Sequence, residues 1–281
     1  MSKIAIITDS TCGLPREVIE REELIVIPCL VQAEGQVYKE GVDLTAEELF
    51  DRIYTSSTIA TTSLPAGEDY TAAFEEVKRR GADQVIGIFV GSNLSGTFNG
   101  ARLASQDHAL QVELIDSGTT AMALGILVLE AVRIVKAGAT LEEAAAQLRE
   151  TAERTELYAL LDTLEYIRRG GRIGRVGELI ANVLNIKPVL RVARNSLDVV
   201  ARARSRKKGL NWLMDTAREA QPIRAAGVMH ILTPDEAAEL ARSLSPLVEG
   251  QPELMIEPVT AAVAVHAGPL AIGMGIIKSS A

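Results

Sequence analysis

A short, almost wholly apolar run, Val85-Ile86-Gly87-Ile88-Phe89-Val90, passes directly into Gly91-Ser92-Asn93-Leu94-Ser95-Gly96-Thr97, a turn rich in hydroxyls and glycine. No other stretch narrows the possible folds as much. An unbroken apolar run of this length reads as a strand buried on both faces, as in a parallel sheet covered by helices. The residues that follow, Phe98 to Leu110, carry Ala101, Leu103 and Ala104 at helical spacing. The unit is therefore strand, small polar turn, helix start. Free N–H groups at a helix N-terminus, joined by Ser and Thr hydroxyls, can hold an anion. They can equally be an ordinary cap, with Ser95 or Thr97 satisfying the helix. In open α/β sheets, ligands sit beyond the carboxyl ends of the strands, where this turn falls.

The same alternation runs through the first half of the chain. Ile4 to Ile7 reads as a buried strand, Thr8-Asp9-Ser10-Thr11-Cys12-Gly13 as a polar turn, and Leu14-Pro15 as the lead into a helix. Leu24 to Val31 reads as one strand, edge or bulged because Pro28 lies within it. Gln36 to Gly41 is a hairpin or loop, and Thr45 with Glu48 forms a capping box for a helix reaching Tyr54. Pro65 extends Leu64, so Thr61-Thr62-Ser63-Leu64-Pro65 reads as a rigid loop, either a plain Ser/Thr turn or a site. Glu68 to Arg80 is a helix, and Val112 to Ile115 a strand ending in Asp116-Ser117. Thr120 to Ala137 is apolar nearly all round, which places that helix between a sheet and a second domain. A further capping box, Thr140 with Glu143, opens a helix to Arg154. Regular alternation of this kind implies right-handed crossovers and a doubly wound parallel sheet.

Near Leu157 the pattern changes. Leu157 to Leu161 reads as a strand, Leu164 to Arg169 as a short helix, and Gly170-Gly171-Arg172-Ile173-Gly174-Arg175 as a glycine-rich break. Ile186 to Ala193 and Leu197 to Ala203 form a hairpin around Asn195-Ser196. Helices over Leu210 to Ala220 and Pro234 to Leu247 alternate with strands over Ala226 to Leu232, Leu254 to Ile256, Ala261 to Val265 and Ala271 to Ile277. The fold class is α/β: a doubly wound parallel-sheet domain over residues 1–157, then an α+β domain over 158–281 with helices on one face.

Composition narrows the function. With 281 residues and 47% hydrophobic content, the chain can bury a full core. A net charge of −8 argues against nucleic acid as a partner. Two cysteines, Cys12 and Cys29, are too few for a disulfide scaffold or a zinc cluster. No signal-peptide pattern and no membrane-length apolar run occur, so the expected location is the cytoplasm. There is no G-x-G-x-x-G after the first strand, no P-loop, no H-E-x-x-H and no G-x-S-x-G, which leaves no cofactor or metal implied. What remains is a set of hydroxyls, glycines, Arg172 and His266, each in a loop beside a strand. An arginine between glycines can grip a carboxylate or phosphate bidentately, or simply serve a helix end. A histidine closing an apolar strand is either a site residue or a satisfied core histidine. His108 and His230 stand in no motif.

These loops occur together in one family. Thr8-Asp9-Ser10-Thr11 with Leu14-Pro15, Thr62-Ser63-Leu64-Pro65, Leu94-Ser95-Gly96-Thr97, Asp116-Ser117, Gly170-Gly171-Arg172-Ile173, Lys187-Pro188 and His266-Ala267-Gly268-Pro269 span nearly the whole chain in order. The set resembles the DegV family, the fatty-acid-binding proteins that include the FakB subunits of bacterial fatty acid kinase. Leu270 departs from the pattern, which usually continues with Gly. The resemblance implies two domains with a buried acyl tunnel between them. It implies that Thr62, Ser63 and Ser95 hold a fatty acid carboxylate with the backbone of Gly96 and Thr97, and that Arg172 and His266 lie near the head group. It implies a non-catalytic carrier that presents a long-chain fatty acid to a separate kinase. The basic run Arg202, Arg204, Arg206, Lys207 and Lys208 is a solvated face, or docks the kinase or, transiently, an anionic membrane. The rival reading is an enzyme in its own right: a hydrolase using Ser95 or Ser63 with His266, or a phosphotransfer protein using His266.

Overall fold

The computed structural model describes residues 3–43, 48, 52, 60–172 and 186–280. In chain order its named elements are β1 (Ile4–Asp9), α1 (Arg16–Arg21), β2 (Ile25–Ile27), β3 (Leu30–Ala33), β4 (Gln36–Lys39), β5 (Thr61–Ser63), α2 (Gly67–Arg79), β6 (Gln84–Phe89), α3 (Thr97–Ala104), β7 (Gln111–Asp116), α4 (Ala121–Lys136) and α5 (Leu141–Glu153). They continue with β8 (Thr155–Leu160), α6 (Glu165–Arg169), β9 (Lys187–Ala193), β10 (Ser196–Ala203), α7 (Arg206–Glu219), β11 (Ile223–His230), α8 (Pro234–Leu244), β12 (Ile256–Pro258), α9 (Ala261–Ala267) and β13 (Ile272–Lys278).

Among the described residues these strands form three sheets. The first is parallel throughout, in the order β2-β1-β6-β7. Ile6, Ile86 and Ile88 point to a core shared with α4 and α5, while Ile7, Val85 and Phe89 point to one shared with α2 and α3. Both faces are covered, as the doubly wound reading requires. The second sheet runs β10-β9-β8-β13-β11-β12 and is mostly antiparallel. Its residues alternate with period two: Tyr158 and Leu160 pack with α7 and α8, Leu157 and Ala159 with α4. Helices therefore cover both of its faces, not one as expected, because α4 is lent by the first half of the chain. Gly275 makes this possible: a Cβ there would lie 2.6 Å from the backbone nitrogen of Ala123. A third, three-stranded antiparallel sheet, β4-β3-β5, was not expected.

Several local expectations are corrected. The stretch Leu24 to Val31 is two strands in two sheets, broken at Pro28-Cys29, because proline withholds the ladder donor and the chain turns there. Thr61 to Ser63 is strand β5, not loop; pairing with β3 displays its hydroxyls in period two. Ala261 to Val265 is helical. The run Ala-Ala-Val-Ala-Val is apolar in either reading, and its alanine content decides for helix. The helix after Thr97 ends at Ala104 in a 3-10 turn, which leaves Leu103 59% exposed. The helix from Pro234 ends at Leu244, where Pro246 enters a 3-10 turn. The strand expected at Leu254 begins at Ile256. The hairpin turns at Arg194 and Asn195, one residue earlier than expected, both at positive φ. The helix from Thr45 to Tyr54 falls largely outside the described residues, as do Ile173, Gly174 and Arg175.

Candidate functional site

One cavity lies where the first sheet's loops meet the α4 face of the second sheet. The space between its atoms, open mouth and solvent included, comes to about 980 Å³. Most of its wall is aliphatic: Leu157, Leu161, Leu190, Val192, Leu197 and Met229 represent the second sheet and its loops, Val259 and Val263 the α9 segment. Its polar lining residues are Thr11, Thr62, Ser63, Ser95, Thr120, Arg172 and His266.

Each polar group reaches the cavity by a different element. β5 supplies Thr62 and Ser63. The turn after β6 supplies Ser95; its Oγ hydrogen-bonds Thr97 Oγ1 at 2.8 Å and accepts the Thr97 N–H at 3.3 Å. Gly96 and Thr97 do not line the cavity. Thr97 is fully buried, with its carbonyl accepting from the Tyr70 hydroxyl at 3.1 Å, so it holds Ser95 from behind, while Gly96 is exposed. The turn is anchored by Asp116, whose carboxylate accepts from the N–H groups of Ser92 and Gly118 and the Asn195 side-chain amide.

α9 supplies His266, whose Nε2 lies 2.8 Å from Thr62 Oγ1. The ring's Nδ1 is buried with no hydrogen-bond partner among the described residues. Burial first, and the positive Arg172 second, depress the imidazole to about 4, so it is neutral at pH 7. Its ring packs on Gly170, where a Cβ would fall 2.0 Å from Nδ1. Arg172 leaves α6 and donates to the carbonyl of Gly170 at 2.7 Å and of Leu94 at 3.4 Å. No carboxylate among the described residues pairs with it, and a guanidinium has further N–H groups to offer a ligand.

The structure thus brings Thr62, Ser63, Ser95, Arg172 and His266 to one cavity, and sets Gly96 and Thr97 just outside it. Chemically, this is a set of hydroxyl donors, a neutral imidazole and one cation at the polar part of an apolar chamber. It suits one anionic oxygen group attached to an aliphatic body. Three contributors carried no sequence signal for the part they play. Glu40, a lone acid after a hairpin, is buried behind the cavity wall. Asn195 reads as a turn residue, yet bridges the second sheet to the Ser95 turn. Gly170 is one glycine among several until the His266 ring is seen against it.

Comparison with known proteins finds relatives that span nearly the whole chain. The DegV family model, described as "Uncharacterised protein, DegV family", matches residues 3–279. A DegV domain-containing protein of Streptomyces coelicolor is 31% identical over 274 residues, covering 96% of this chain and 97% of that one. Among solved structures, a DegV family protein of Thermus thermophilus described for its fatty acid binding has a TM-score of 0.88 at 28% identity, covering 99% of this chain and 100% of that chain. DegV of Bacillus subtilis, described as a fatty acid binding protein, has the same TM-score, identity and coverage. The fold, the ordered loops and the cavity lead to one conclusion: the chain belongs to the DegV family.

Proposed function

We propose that this protein binds a long-chain fatty acid with its acyl chain in the aliphatic cavity and its carboxylate among Thr62, Ser63, Ser95, Arg172 and His266, and presents that carboxylate to a separate fatty acid kinase. The observation that carries the reading is one mainly aliphatic cavity whose lining also holds Thr62 in contact with His266, with Arg172 close enough to act on that ring. Burying an acyl chain of about sixteen carbons is worth on the order of 10 kcal/mol before association costs, so the head group needs only to orient it. Ser95 is held ready by Thr97, Arg172 has no competing carboxylate among the described residues, and a neutral His266 can donate or accept. The division of labour into residues 1–157, carrying the head-group loops, and 158–281, closing the chamber, belongs to the same proposal.

The hydrolase alternative needs a Ser–His bond with an acid behind the histidine. Here His266 bonds Thr62, and no acid meets its Nδ1 among the described residues. Docking of the kinase at the basic run falls to Arg202, Arg204, Lys207 and Lys208, which are exposed. Arg206 is already engaged by Glu236 and by the Leu270 carbonyl.

Native mass spectrometry of the purified protein, followed by lipid extraction, tests the binding reading. A mass increment matching one fatty acid is expected. A protein that is empty and takes up neither palmitate nor oleate overturns it. Formation of acyl phosphate when an ATP-dependent fatty acid kinase is added to the loaded protein tests the presentation step.

A further inference from the structure

Helix α9 is tied to the three-stranded sheet at both ends. At its C-terminal end His266 meets Thr62 of β5. At its N-terminal end Thr260 stands in the cap position but makes no side-chain cap hydrogen bond. The Ala262 N–H donates instead to Glu40 Oε1 at 2.7 Å, across 222 residues of sequence. The other carboxylate oxygen, Oε2, accepts from Ser10 Oγ at 2.6 Å, and that hydroxyl accepts from the Cys29 N–H at 2.9 Å. Glu40 N–H donates to the Cys29 carbonyl at 3.0 Å, which closes the bracket.

The geometry has four corners. Glu40 follows β4 and Thr62 lies on β5, and both strands pair with β3, so the spacing of those two corners is fixed by the sheet. Ala262 and His266 are four residues apart on α9, one above the other, and both line the cavity. Glu40 itself does not line it.

An ordinary cap would need only a hydroxyl. The chain places a carboxylate there instead, 5% exposed, with no cation paired to it among the described residues. The titratable groups facing it are Asp9 from the end of β1 and the thiols of Cys12 and Cys29, none of which offsets its charge; only the hydroxyls of Ser10 and Thr260 and the Ala262 N–H favour its ionised form. Burying such a group is costly, and costs of this kind persist where function requires the geometry.

We propose that Glu40 is a positioning residue for the carboxylate-binding pair: by fixing the first turn of α9 it sets where His266 meets Thr62, and so how a ligand carboxylate is gripped, without touching the ligand. The inference rests on the fatty-acid reading above.

The test compares palmitate with 1-hexadecanol, which fills the same chamber without a carboxylate, by titration calorimetry on delipidated protein. For Glu40→Ala, palmitate affinity is expected to fall roughly tenfold while hexadecanol changes less than about twofold. Glu40→Gln keeps an acceptor for the Ala262 N–H and is expected to restore palmitate binding to within about twofold of wild type. Glu40→Asp keeps the charge but is one methylene too short, and is expected to behave as the alanine variant does; it serves if Glu40→Ala fails to fold. Unchanged palmitate affinity in the alanine and aspartate variants overturns the proposal. So does equal loss for both ligands, which marks a purely structural role, and so does a glutamine variant no better than alanine. A wild-type protein that binds neither ligand overturns the fatty-acid reading itself, a result separate from all of these.

Discussion

Thr62 and His266 are separated by 204 residues of sequence and by 2.8 Å in space, and their contact joins strand β5 to helix α9 at the polar part of the cavity. The contact involves an imidazole that burial keeps neutral, and this has a pH signature. An unfolded histidine takes up its proton near 6.5, whereas folded His266 does so only near 4. Its contribution to stability is therefore full above pH 6.5 and is lost as the pH falls through 4. Glu40 acts in the opposite sense: raised by burial from 4.5 to about 7, it favours the fold fully below pH 4.5, and that contribution is gone above about pH 7. Chemical denaturation of wild type and His266→Gln at pH 7.5 and pH 5 separates the two. The wild-type protein is expected to lose on the order of 1–2 kcal/mol more than the variant over that interval. Equal losses would place the His266 ring in solvent contact.

Leu270 sits at φ 61°, a backbone region that glycine adopts freely and leucine does not, and its side chain is exposed. Leu270→Gly is expected to stabilise the fold by roughly 1 kcal/mol, less the entropy that glycine returns to the unfolded chain. Thermal melting reads the change directly. A lower melting temperature would show that the leucine side chain makes a contact worth more than the strain.

Gly170 leaves no room for a side chain beneath the His266 ring. Gly170→Ala is expected to displace that ring and to weaken palmitate binding about tenfold, with little effect on hexadecanol. A variant with wild-type palmitate affinity would remove His266 from the head-group site.

Asn195 and Asp116 bridge the hairpin of the second sheet to the Ser95 turn, with the Asn195 amide donating to the Asp116 carboxylate at 2.9 Å. Asn195→Ala and Asp116→Ala are each expected to cost about 1–3 kcal/mol, and together less than their sum. Strict additivity in a double-mutant cycle would show that the two side chains act independently.

The parts of this architecture that were legible in the sequence are those where a single period dominates. The run Val85 to Val90 and the apolar helix at Thr120 to Ala137 bury two faces, and no competing pattern obscures them. Ala261 to Val265 failed because five apolar residues fit a strand or a helix equally well, and only the tertiary setting and alanine's preference decide. Thr61 to Ser63 failed because hydroxyls beside a proline resemble a turn, while its strand character comes from β3, thirty residues earlier in the chain. The polar cluster was legible as separate loops. Its convergence was implied only by the family resemblance, since the chain order of Thr62, Ser95, Arg172 and His266 by itself says nothing about their spacing. Glu40 was hidden for a simpler reason: an acid next to a glycine reads as solvent-facing turn.

Helix α4 contributes Leu124, Leu127 and Val128 to one core and Met122, Ala123 and Ile126 to another. Neither half of the chain can keep its interior dry once that helix leaves. Melting should therefore be a single cooperative event, with one transition seen by every probe. A chain cut near residue 157 would not divide into two autonomous modules: the first piece would carry an uncovered apolar stripe, and the second would lack the lid of its own sheet.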